Sequence, residues 1–428
     1  MSVELGTLPN GLRVVSHRMD HLESVTVGLW VGAGSRFEGA REHGLAHLLE
    51  HMAFKGTRRR SARDIAEEIE SVGGDLNAVT SPEATAYFAR VLKPDLPLGL
   101  DLLSDIVINP TFDGAELVRE KDVIIQEILA TNDNPDDVIY DLVHENAFPN
   151  QALGRSILGT AESVSALGAE DLLGFRDRRY SARRMVLAAA GALDHADLLK
   201  LAGEHFGAVG GFAVADPPPA LYRGGLCASP LRFEQGHVVV AYRGPAYSDG
   251  DYYAGQMLAT ILGGGMSSRL FQEAREARGL CYSIYAFCWG LSDTGLFGVH
   301  AATAPERYDE LLEVVAGEIR RLAEEPVRRE ELERARAQLK AGLLMSLEST
   351  GARAEQLALQ TLAFGAPLPI GEVIAKVDAV TMEAVQWAAG KVFDASAPTL
   401  ACVGPSGLAV DGKGWARKLG LAPGLAAE

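Results

Sequence analysis

The chain has 428 residues, 47% hydrophobic and 23% charged, with 57 Asp and Glu against 40 Lys and Arg for a formal net charge of −17. That length allows about two to four domains, the composition suits a soluble globular enzyme, and the acidic balance excludes a general nucleic-acid binder while favouring a basic partner. No stretch reaches the roughly 18 consecutive apolar residues of a spanning helix, so no membrane span is expected.

The first residues carry neither a basic n-region nor an apolar h-region, so the expectation is a cytoplasmic protein without a signal or transit peptide. Residues 3–8 and 12–17 read as a hairpin around Asn10-Gly11, followed by a strand at 24–31 that closes on Gly32-Ala33-Gly34. Next comes Gly44-Leu45-Ala46-His47-Leu48-Leu49-Glu50-His51-Met52, two imidazoles and a carboxylate on an apolar helix. His47 and His51 are four apart and share a face, and Glu50 falls within the same arc of about 100°. Neutral imidazoles suit zinc, which acidifies a water molecule whose proton a neighbouring carboxylate can take. The order H-x-x-E-H is that of inverted zinc peptidases. A chance match in such a chain arises at the level of roughly a few per cent, and helical histidines are more often packing or surface residues. Here the flanking Leu45, Leu48, Leu49 and Met52 imply burial, and three buried polar groups need partners that one metal ion would supply together.

Beyond Lys55-Gly56-Thr57, the spacing of Ile65, Ile69 and Val72 predicts a helix over 61–72 that stops at Gly73-Gly74. Strands follow at 76–80 and 84–92, then a helix over 95–108 with Asp95 as its N-cap and Pro110 beyond its end. Asp113-Gly114-Ala115-Glu116 resembles a capping box that opens a helix through about residue 130. That helix carries Glu120 and Glu127 seven apart, hence on one face. Helices at 164–176 and 196–205 flank a strand at 185–190, and Gly210-Gly211 with Pro217-Pro218-Pro219 marks a linker.

After the linker the same order of events starts again: strand 237–242, helix 252–262, helix 267–278, strand 282–288, and a long charged helix after Glu325-Pro326. Tyr253-Ala254-Gly255-Gln256-Met257-Leu258-Ala259 stands where the histidines would be, so one half is expected to be catalytic and the other supporting. Gly263-Gly264-Gly265 lacks the Lys-Ser/Thr ending of a phosphate loop and reads as a helix-terminating turn. Cys227, Cys281, Cys288 and Cys402 form no C-x-x-C pair, so free thiols are expected. The fold expected is α+β: two duplicated domains, each a largely antiparallel sheet packed with several helices, with 1–208 catalytic, 209–226 a linker and 227–428 the similar domain without metal.

These motifs together, with Gly73-Gly74-Asp75-Leu76-Asn77-Ala78, residues 120–128 and 157–160, and Gly279-Leu280-Cys281-Tyr282-Ser283, resemble the pitrilysin or insulinase family of zinc peptidases over nearly the whole chain. Within that family the likeness is to the branch of the mitochondrial processing peptidase β subunit and its bacterial homologues. The resemblance implies one Zn2+ per chain, with His47 and His51 as ligands and Glu127, 76 residues past His51, as the third. It also implies Glu50 as general base and Glu120 as a supporting carboxylate. Leu76, Asn77, Ala78 and Val79 would form the edge on which a peptide adds as a strand. Arg275 and Tyr282 would hold the peptide and donate to the oxyanion. The activity expected is cleavage of small unfolded peptides, basic and presequence-like ones being favoured by the charge, in a cytoplasmic bacterial homodimer whose sites are completed by the partner's Arg275 and Tyr282. A heterodimer with a related subunit, and a non-catalytic assembly subunit of the same fold, are the alternatives.

Overall fold

Alternating and continuous apolar runs in the first half become a six-stranded sheet in the order β1 (Val3–Thr7), β2 (Arg13–Arg18), β6 (Met185–Gly191), β3 (Ser24–Val31), β5 (Thr85–Leu92) and β4 (Asp75–Thr80). Neighbours are antiparallel except β2 and β6. In this computed structural model, which describes residues 3–394 and 397–405, the strands expected here are present with ends within a residue of those predicted. The sequence Ser-Val-Thr-Val-Gly-Leu-Trp-Val explains why β3 is central: β-branched and large apolar side chains serve both faces, and every residue after Ser24 is buried.

The helices of this half are α1 (Leu45–Ala53), α2 (Ala62–Ser71), α3 (Leu96–Ile108), α4 (Gly114–Asn132), α6 (Ala161–Ala166), α7 (Ala169–Arg179) and α8 (His195–Phe206). Ser61 and Asp64 form a reciprocal capping box at α2. Asp95 precedes α3 but makes no side-chain cap, because a short 3-10 turn at Lys93–Asp95 leads into the helix instead. Asp113 does cap α4, its Oδ1 accepting from Ala115 N (2.9 Å) and Glu116 N (3.1 Å). The single helix expected over 164–176 is two, α6 and α7: the chain turns extended at Leu167-Gly168, and the Asp171 carboxylate takes the Gly168 amide to start the second.

The second half repeats the plan. Its five-stranded sheet runs β7 (Gly225–Pro230), β11 (Thr399–Gly404), β8 (Gly236–Arg243), β10 (Gly295–Thr303), β9 (Cys281–Gly290), with β7 and β11 parallel and the rest antiparallel. Strand for strand this matches β2-β6-β3-β5-β4 in order and direction, so the expected duplicated α+β architecture is present. The helices α5 (Pro135–Ala147), α9 (Tyr252–Gly263), α10 (Tyr308–Glu324), α11 (Arg329–Ser346), α12 (Thr350–Phe364), α13 (Ile370–Asp378) and α14 (Met382–Asp394) complete the chain. The helix expected over 267–278 is largely a π-helical segment, Phe271–Glu276, and α9 ends at Gly263 with Gly264 as its C-cap. No helix among the described residues is long and apolar enough to cross a membrane, and all four cysteines are free thiols.

Two compact units result, and neither is contiguous. Among the described residues, one comprises 3–128, 156–218 and 344–368; the other comprises 129–155, 219–343, 369–394 and 397–405. In the first, α1 and α3 cover one face of the sheet, and α12 lies on the other, where Ala354, Leu357 and Ala358 meet Val186, Ala188 and Ala190. In the second, α9 and α10 cover one face, and α5 lies on the other, packing Ile139, Val143 and Ala147 on Val239, Ala241 and Ala401.

Candidate metal centre

Helix α1 is entered through Gly44, whose φ of 88° suits glycine; a Cβ there would stand 2.8 Å from the Leu158 carbonyl oxygen and 3.0 Å from Gly159 Cα. Glu38, itself buried, satisfies the amides at this entry, accepting from Gly44 N at 3.1 Å and Ala46 N at 2.7 Å. Past the helix, Thr57 Oγ1 donates to Asp105 Oδ2 on α3 at 2.7 Å. With both ends fixed, Leu45, Leu48 and Met52 go into the core, and the polar residues meet α4. On α4, Leu117, Glu120 and Ile124 are buried at helical spacing, and Glu127 continues that face.

The structure brings His47, His51 and Glu127 together, with one ligand atom from each lying within 4.8 Å of the others. Glu127 Oε2 is 3.7 Å from His47 Nε2 and 3.7 Å from His51 Nε2, and the two rings stand edge to face at 4.6 Å. A tetrahedral ion with bonds of roughly 2.0–2.1 Å separates its ligand atoms by about 3.3 Å, so small side-chain rotations close this set around zinc. Burial, with His51 alongside, pulls the His47 pKa down to about 4, leaving the neutral imidazole that a metal requires. His47 Nδ1 is buried without a hydrogen-bond partner. Glu120 Oε2 lies 3.1 Å from His51 Nδ1, holding the proton there and freeing Nε2. Lys55 Nζ in turn sits 2.8 Å from Glu120 Oε1. The residues present therefore fit a zinc ion.

Glu50 is within electrostatic reach of His51 and Glu127 and is not one of the three converging ligand residues. Thr80 Oγ1, at the end of β4, donates to its Oε2. Burial raises the Glu50 pKa, while Thr80 and His51 pull the other way. Strand β4 itself is an edge strand, paired with β5 and with no other strand among the described residues. Leu76 and Ala78 pack inward, Asn77 and Val79 face out, and Asn77 Oδ1 accepts from Ala78 N at 2.8 Å. A cleft of about 380 Å3 opens beside Lys55, Thr57 and Arg58, but none of His47, Glu50, His51, Glu120 or Glu127 lines it.

Arg275 and Tyr282 belong to the second unit and lie together there. Arg275 projects from the π-helical segment with its guanidinium 4.6 Å from the Phe271 ring and 5.1 Å from the Tyr282 ring, and Tyr282 is 81% exposed. Sequence reasoning gives no role to Glu38, Lys55 or Thr80. Lys55 follows His51 by four residues, the one local hint; Thr80 and Glu38 act through contacts that only the folded chain creates.

Residues 13–161 match the family described as Insulinase (Peptidase family M16), and residues 166–339 match the Peptidase M16 inactive domain. An uncharacterized zinc protease of Streptomyces coelicolor is 38% identical over 94% of this chain and 90% of its own length. The mitochondrial-processing peptidase subunit beta of Bos taurus is 36% identical over 93% of this chain and 83% of its own. Among solved structures, a protease from Helicobacter pylori superposes with a TM-score of 0.86 at 21% identity, covering 94% of this chain and 99% of that one. A peptidase M16 inactive domain from Pseudomonas fluorescens gives 0.87 at 23%, covering 95% and 99%; these two likenesses concern the fold. The chain belongs to the insulinase family of peptidases, family M16.

Proposed function

We propose that this chain is a zinc endopeptidase that cleaves short, unfolded peptides, with one catalytic ion per chain held by His47, His51 and Glu127. The observation that carries the reading is the convergence of those three donors with Glu50 beside them. When bound, the ion supplies Lewis acidity, acidifying water and polarising a peptide carbonyl. The chain's residues do the rest. Held by Thr80 through its Oε2, Glu50 accepts a proton from the attacking water and returns it to the departing amine nitrogen. The raised proton affinity of Glu50 suits both transfers. Glu120 keeps the His51 ring in its ligand tautomer. The open edge of β4 at Leu76, Asn77, Ala78 and Val79 takes the peptide as an added strand, which reads backbone rather than sequence.

Replacing Glu50 with Gln should leave zinc bound and abolish peptide hydrolysis, by at least about 100-fold. Normal turnover by that variant would end the mechanism.

The proposal extends to a homodimer in which a second copy supplies Arg275 and Tyr282 to each site, the guanidinium to hold a peptide carbonyl and the phenol to donate to the oxyanion. The high exposure of Tyr282 and its stacking on Arg275 support an outward-facing role. A Glu50→Gln chain and a Tyr282→Phe chain, each poorly active alone, should recover activity when mixed; no recovery would refute sharing between copies.

A further inference from the structure

The second unit carries a cluster of ligand-type side chains that the peptidase reading does not use. Antiparallel pairing sets His300 opposite Val239 and His237 opposite Ala302, so the two histidines are diagonal neighbours on one face of the sheet. This is the face that α5 crosses, and Asp136 stands in the first turn of that helix. Its Oδ1 is 3.2 Å from His237 Nδ1 and 3.3 Å from His300 Nε2. One ligand atom from each of the three lies within 4.8 Å of the others.

Burial sharpens the point. His237 is 7% exposed and His300 is 2% exposed, and neither His237 Nδ1 nor either ring nitrogen of His300 makes a hydrogen bond. Buried polar groups are ordinarily satisfied, so two buried imidazoles close to a carboxylate oxygen yet not aligned on it require an explanation. Converging on a shared point supplies one. The two nitrogen–oxygen distances match the edge of about 3.3 Å that a tetrahedral ion with bonds of roughly 2.0–2.1 Å imposes.

We propose that Asp136, His237 and His300 form a second metal site, distinct from the one on α1 and α4, that takes a divalent first-row transition ion of the zinc class. Two imidazoles and one carboxylate suit that class and leave a position for water, and Asp136, 60% exposed, lies on the open side. Tyr285, paired with His300 across the strands, and Tyr140, one turn beyond Asp136, wall the other side; their rings lie 5.0 and 5.9 Å from His300 and their hydroxyls 2.6 Å apart. The ion's charge opposes the positive end of α5, which Asp136 and Asp137 in the same turn offset. Binding there clamps the start of α5 to β8 and β10. The site is not a vestige of the first, because α9, the counterpart of α1, contributes nothing to it.

Zinc stoichiometry of the full chain, stripped with chelator and titrated with Zn2+, tests this. Wild type should bind two ions, the His47→Ala/His51→Ala chain one, and the Asp136→Asn chain one strong ion with the second weakened at least 10-fold. Combining all three substitutions should remove strong binding. Asp136 is exposed, so its replacement leaves the fold readable by circular dichroism, and a His300→Ala chain provides a second test of the same loss. If the His47→Ala/His51→Ala chain binds no zinc, or if Asp136→Asn in that background binds as tightly as its parent, the second site does not exist. Were the α1 site wrong instead, wild type and the His47→Ala/His51→Ala chain would both bind one ion, and Asp136→Asn alone would weaken it at least 10-fold.

Discussion

His51 has a carboxylate beside each of its ring nitrogens. Glu127 approaches Nε2, and Glu120 approaches Nδ1 while also meeting Lys55. A glutamine at position 120 could still accept from Nδ1–H, but it would lose the charge that makes the ring a stronger donor and would leave Lys55 without its partner. Glu120→Gln should therefore weaken zinc binding about 10- to 100-fold with the fold intact, measured by competition with a chromophoric chelator. Unchanged affinity would strip Glu120 of that role. At this scale the sequence exposes what is local. His47, Glu50 and His51 share a helical face by spacing alone, whereas Glu127 emerges as their companion only through family resemblance. The Thr80–Glu50 and Glu38–Ala46 bonds depend on sheet and loop geometry, which leaves no trace in spacing.

Among the elements, α1 shows how loop chemistry aims a site. Gly44 lies against Gly159, so residues 157–160, one of the family-like stretches, function as a seat for the helix entry. Gly44→Ala would combine a left-handed alanine with a Cβ 2.8 Å from a carbonyl oxygen. It should cost about 2 kcal/mol or more in urea denaturation and loosen zinc binding with it. A variant as stable as wild type, with full zinc affinity, would show that the entry geometry is dispensable. Other elements are legible in the sequence to differing degrees. Strand β3 is read to its end residues because its apolar run is long and β-branched. Helix α5 is missed even though Asn134 and Pro135 form a local start signal, with Asn134 Oδ1 accepting from Asp136 N at 3.1 Å. The break between α6 and α7 and the π-helical turn at Phe271–Glu276 preserve helical periodicity in the sequence, so a pattern of apolar residues cannot reveal them.

For the whole molecule, the sheet order is duplicated over five strands, β1 having no counterpart among the described residues, and the recurring strand and helix signals make that duplication legible in the amino-acid sequence. Membership of 344–368 in the first unit and 129–155 in the second is not legible there, since helix patterns state which face is apolar and not which sheet receives it. The second unit, without the α1 ligand set, has its own polar anchor. Glu331, 5% exposed in the first turn of α11, takes a two-pronged ion pair from Arg269 at 2.9 and 3.0 Å and the Arg328 amide at 2.9 Å. Burial alone would raise its pKa, but the hydrogen bonds from Arg269 and Arg328 outweigh that and hold it at about 2, against an ordinary 4.5. A folded-state pKa below the unfolded one means that the group's contribution is complete above pH 4.5 and is lost as pH falls towards 2. The difference amounts to roughly 3 kcal/mol. Glu331→Gln should thus be destabilised by about that much at neutral pH, with the gap to wild type closing by about half near pH 3 in urea titrations. A gap independent of pH would mean that Glu331 stabilises the unit by packing alone, and that its ion pair with Arg269 adds nothing to the fold.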